Sequence, residues 1–137
     1  MIEEIKEKEM AREILVETRV RAVQVDEKDC PWADDYRPHW RVTVIYKGHK
    51  RTFDFWNNLQ NKQPSKELLL DCLLCDALAY RETQNIDEFS AEFGYTKITE
   101  AIRAYNSCYK TYRKLSTLFQ VSDEVLWEMA NIVRELA

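Results

Sequence analysis

Cys72 and Cys75 are separated by two residues in the stretch "LLLDCLLCDALAY", residues 68–80. That is the spacing of a redox dithiol or of one zinc knuckle. A redox pair needs its first thiol at an exposed helix N-terminus, where the dipole lowers its pKa. These two lie mid-helix among leucines, where desolvation raises it. Zinc needs two further ligands at knuckle spacing, and Cys30 and Cys108 stand alone. The pair reads as small apolar packing residues, reduced, with no metal and no cofactor. His39 and His49 are the only histidines, and neither has a serine or cysteine in a nucleophile context or a partner at metal-ligand spacing. Carboxylates are abundant, but no pair sits in a recognisable acid–base setting. With two glycines in the chain, Gly48 and Gly94, no phosphate-cradling loop can be assembled. The expectation is a protein that is not an enzyme.

Charge and aromatic residues offer binding chemistry instead. Arg41, Lys47, Lys50 and Arg51 surround a hairpin that runs into Trp56, a pattern suited to phosphate contacts plus base stacking, or else to a solvated hairpin whose cations resist edge pairing. Opposing it, "ETQNIDEFSAEF" gathers Glu82, Asp87, Glu88 and Glu92, either a solvated face or an acidic knob for a basic groove. Trp56, with Trp32 and Tyr36 from the preceding loop, has the residue types that anchor interfaces; cover by the N-terminal helix is the alternative. The formal net charge of -4 speaks against general nucleic-acid affinity. The 24 acids are diluted by 20 bases, which speaks against mimicry of a duplex over the whole surface and leaves a local acidic patch at 82–92 as the alternative.

The elements that must position these groups follow from pattern. The 137 residues are expected to form a single domain, 1–137, with no apolar run long enough to span a membrane. The charged opening "MIEEIKEKEM" does not read as a secretory leader, so the expected location is cytoplasmic. Residues 2–13 read as an exposed helix held by Ile2, Ile5 and Met10, and residues 18–25 as a strand. Taking Lys47-Gly48 as a two-residue turn pairs Trp40 with Phe55 and Val42 with Phe53 on one face. It pairs Arg41 with Asp54, Thr43 with Thr52 and Ile45 with Lys50 on the other. A slip by one residue would bury Asp54, so the register is specified. Ser65 caps a leucine-rich central helix; Asn85 and Glu88 open a short helix that Gly94 ends. A long helix over about 97–119 carries Ile98, Ile102, Tyr105, Tyr109, Tyr112, Leu115 and Phe119 at core spacing, and Ser122 caps the last helix. The expected class is α+β, a three-stranded antiparallel sheet packed against a layer of about four to five helices.

From Trp40 to about Phe119 the chain resembles a recurrent group of small phage and prophage proteins. The resemblance rests on "TFDFWN", "PSKELLLDCLLCDALAY", "DEFSAEFGY" and "AYNSCYKTYRKL", most of which are structural. It implies an anti-CRISPR-like or other anti-defence inhibitor in the host bacterial cell, acting by stoichiometric binding to a host defence protein or protein–nucleic-acid effector complex. Direct nucleic-acid binding is not what the resemblance implies. A nucleic-acid-binding accessory protein and a small-molecule sponge are the rival expectations.

Overall fold

The computed structural model describes residues 2–25, 39–56 and 63–137. The chain runs α1 (Ile2–Glu17), β1 (Arg19–Val25), β2 (His39–Tyr46), β3 (His49–Trp56), α2 (Lys66–Glu82), α3 (Ile86–Phe93), α4 (Ile98–Phe119) and α5 (Asp123–Leu136). The described residues thus form one antiparallel sheet in the order β1-β2-β3 and five helices, an α+β fold.

The hairpin has the register that its two faces demand. Val42 lies opposite Phe53 and Trp40 opposite Phe55, with Arg41 opposite Asp54 on the reverse side. Lys47 (φ 49°) and Gly48 (φ 80°) both take positive φ, which makes a type I′ turn. Lysine tolerates this conformation poorly; the right-handed twist of the two strands imposes it, and Lys47 Nζ lies 5.4 Å from the Tyr46 ring centroid. β1 adds to the far side of β2, pairing Arg19 with Ile45, Arg21 with Thr43 and Val23 with Arg41. Alternation then separates the faces. Trp40, Val42, Val44, Tyr46 and Phe53 are buried, and Val20 and Ala22 pack against them from β1.

A single cluster of buried side chains joins that face to Leu69, Leu70, Leu73, Leu74, Ala77 and Leu78 of α2, to the C-terminal half of α4, and to Val125, Leu126, Met129 and Val133 of α5. Ser65, Asn85 and Ser122 accept the capping hydrogen bonds expected of them, and Gly94 closes α3 in the left-handed conformation at φ 72°.

Two expectations are corrected. α1 does not stop near residue 13, and Ile5 and Met10 are exposed. Its anchor is Ala11, Ile14 and Leu15, whose i, i+3, i+4 spacing faces the core and outweighs the β-branched character of "ILV". The second concerns α4. Leu115, Leu118 and Phe119 are buried, whereas Ile98 and Ile102 are exposed. Tyr80, two residues from the end of α2, already meets Tyr105, Tyr109 and Tyr112, so the first turns of α4 run past the end of the helix that would have covered them.

Candidate functional site

Cys72, Cys75 and Cys108 are all half-buried and so stand off the core centre, with Cys75 facing α5 through Arg134. Burial pushes the Cys72 thiol up to about 11, with Asp71 and Asp76 adding repulsion, and pushes Cys108 up to about 12. Cys75 is also raised, by desolvation first, although Arg134 donates to its Sγ at 3.3 Å and opposes the shift. The same arginine pairs with Asp71 at 3.5 Å, so the group is a small ion-pair network along the α2–α5 seam. Among the described residues no cluster of histidine, cysteine or carboxylate ligands could hold a metal ion. Asp76 keeps contact with water, while desolvation by the protein around its carboxyl pushes it up to about 6.

A cleft of about 400 Å³ opens between α1, the hairpin turn and the turn from α4 to α5. Glu13, Glu17, Lys47 and His49 border it above the apolar side chains of Ile14, Leu118 and Phe119. Its charges are mixed and open to water, which gives a small ligand no convergent set of polar groups.

The acidic residues form a surface with an apolar centre. Glu82 ends α2, and Asp87, Glu88 and Glu92 lie on α3; all four are exposed. Glu88 also works structurally, its Oε2 accepting from the Gln84 backbone N–H at 2.9 Å. Phe89 is buried beneath them and touches the rings of Phe93, Tyr95 and Tyr105 at 4.8, 5.8 and 5.3 Å. Two of its ring partners stay open to water, Phe93 at 44% and Tyr95 at 37% exposure, and so do Ile98 at 58% and Ile102 at 43% in the first turns of α4. Neither half of this surface alone would mark it, since acids are ordinarily solvated and Ile98 and Ile102 read as core.

The four hairpin cations do not act as one group. Arg41 and Lys50 stand on the outward face of the sheet, while Arg51 has the opposite parity and donates to the Lys50 carbonyl oxygen at 2.7 Å. Lys47 sits in the turn beside the cleft. The fold brings two other cations beside Arg41 and Lys50 instead: Arg19 and Arg21, exposed on β1. The signal for them was the alternation in "TRVRAVQV", which fixes their parity once that segment is a strand. The outer edge of β3 is closed in part by Lys114, whose Nζ donates to the Thr52 carbonyl at 2.8 Å.

Trp32 and Tyr36 lie outside the described residues, as does Cys30. The backbone of Trp56 ends β3 opposite His39, at the parity expected from the register; the surroundings of its side chain also lie outside the described residues. No helix among the described residues is long and apolar enough to cross a membrane. No family model, no curated protein and no solved structure matches this chain.

Proposed function

We propose that this protein is a non-catalytic inhibitor of phage or prophage origin that occupies a bacterial defence component stoichiometrically, with CRISPR effectors as the target class. The observation that carries the binding part is the surface around Phe89. Four large apolar side chains, Phe93, Tyr95, Ile98 and Ile102, are exposed within the ten residues that join α3 to α4, and Glu82, Asp87, Glu88 and Glu92 are exposed on α3 and the end of α2 beside it. An apolar centre with a charged rim is the composition of a protein interface. The acids favour a basic partner, and the nucleic-acid channel of a defence nuclease is basic because it must hold phosphates. The phage origin and the defence target rest on the resemblance carried by "TFDFWN", "DEFSAEFGY" and the tyrosine-rich helix. Such a protein works in the cytoplasm of the infected host.

The test is phage restriction by a host with an active CRISPR system. Expression of the protein should relieve restriction, and Ile98→Glu/Ile102→Glu should abolish the relief while leaving the far-UV circular dichroism unchanged. Undiminished restriction with wild type, together with no defence component recovered on the immobilised protein, would sink this reading.

A further inference from the structure

We infer that the outward face of the sheet binds single-stranded nucleic acid through its phosphates. On that face Arg19 and Arg21 of β1, Arg41 of β2 and Lys50 of β3 are all exposed, with Val23 between them at 58% exposure. The one acid on the face among the described residues is Asp54, paired with Arg41 at 3.3 Å. The open area is bounded, because Val25, next at the same parity on β1, is buried.

Strand geometry turns these positions into a lattice. Residues two apart on a strand are ~6.8 Å apart and neighbouring strands ~4.8 Å apart. The open patch therefore measures roughly 14 by 10 Å, enough to follow the backbone of one polynucleotide strand and not to span both strands of a duplex. Three of its four cations are arginines, whose planar fork matches a phosphate. The apolar residues there, Val23 and Ile45, are not the buried aromatic anchors that a protein partner would need. Recognition by such a face is sequence-independent.

The net charge of -4 is a property of the whole sequence, and four of its acids, Glu82, Asp87, Glu88 and Glu92, stand at the α3 end. α3 packs on Tyr105 through Phe89, whereas the sheet meets Lys114 at the other end of α4. Those two positions are ~13 Å apart along the helix, more than the Debye length of ~8 Å in physiological salt. The sheet face thus acts as a local cation surface, independently of the function proposed for the α3 end.

The test is the fluorescence anisotropy of a labelled oligothymidylate of about 20 nucleotides, titrated with the protein at increasing NaCl. With Arg41 held by Asp54, the three unpaired cations Arg19, Arg21 and Lys50 at about 0.7 each give a log–log salt slope of about -2. Arg19→Thr/Arg21→Thr keeps strand propensity and should lower that slope by about 1.4, weakening low-salt binding about tenfold or more. Arg103→Gln/Lys110→Gln, cations on α4, should change neither. Should the double variant fail to fold, Lys50→Thr should still lower the slope by about 0.7. No binding at about 20 mM NaCl, or equal losses from the α4 variant, overturns the inference. Polyglutamate displacing the oligonucleotide at matched charge would reassign the face to acidic proteins. Low-salt self-association that Arg19→Thr/Arg21→Thr abolishes, without oligonucleotide binding, would reassign it to the acidic end of a second copy.

Discussion

Asp123 holds three helices with one carboxylate. Its Oδ2 accepts from Arg81 Nε at the end of α2 and its Oδ1 from the Tyr112 hydroxyl on α4, both at 2.7 Å, while Asp123 itself opens α5. The Arg81 guanidinium also lies 5.3 Å from the Tyr112 ring centroid, so the three groups form a closed set. Because the carboxylate is only partly exposed and takes charge-assisted bonds, Asp123→Ala should lower stability by about 1–2 kcal/mol, measured by urea unfolding. The bonds join residues 42 and 11 positions apart, and nothing local in the sequence announces such a pairing. The thiols are the opposite case, since the leucines around Cys72 and Cys75 lead directly to an expectation of slow reaction. Cys72 at about 11 and Cys108 at about 12 stay protonated at neutral pH, so thiol reagents should react far more slowly in the folded than in the unfolded protein. Raised folded pKa values mean that the stability they contribute is complete below the ordinary thiol value of 9.0 and is lost as pH rises from there towards 11. Prompt stoichiometric labelling of native protein would contradict the seam geometry.

At the scale of elements, the type I′ turn is a position where local chemistry and fold disagree. Gly48 at φ 80° suits it, and Lys47 at φ 49° does not. Asparagine adopts this conformation readily, so Lys47→Asn should raise the stability, read from thermal melting, by about 0.5–1 kcal/mol less the contact with Tyr46. Gly48→Ala should lower it by about 1 kcal/mol, since the turn leaves room for a Cβ and the cost is backbone strain alone. If both variants melted with wild type, the turn would not be type I′ in solution. The strands, the caps and α5 were legible because each is specified by its own residues: period-two alternation, Ser65, Asn85 and Ser122, and the stripe from Val125 to Val133. The second half of α1 was not. Its Ile14 and Val16 favour a strand locally, and only packing of Ala11, Ile14 and Leu15 on the core decides for helix.

At the scale of the molecule, two surfaces among the described residues differ in charge in a way that composition hides. The sheet presents Arg19, Arg21, Arg41 and Lys50, and the α3 end presents Glu82, Asp87, Glu88 and Glu92. The acids were legible as a run, whereas the basic face needed the pairing of β1 with β2 before its members met. The apolar centre of the α3 end was hidden for another reason. Ile98 and Ile102 continue the spacing of Tyr105 and Tyr112, and periodicity alone cannot report where the covering helix ends. This division makes the last prediction separable from loss of fold. Ile98→Ser/Ile102→Ser removes apolar groups that water already reaches, so stability should stay within about 0.5 kcal/mol of wild type. Phe89→Ala, which empties the buried hub, should instead cost ~3–5 kcal/mol. If the α3 end is an interface, the isoleucine pair should weaken capture of the defence partner by ~2 kcal/mol or more while oligothymidylate binding at the sheet is unchanged. A large drop in melting temperature for the isoleucine variant would show that these side chains are covered within the protein in solution, and the α3 end would then have no apolar surface to offer a partner.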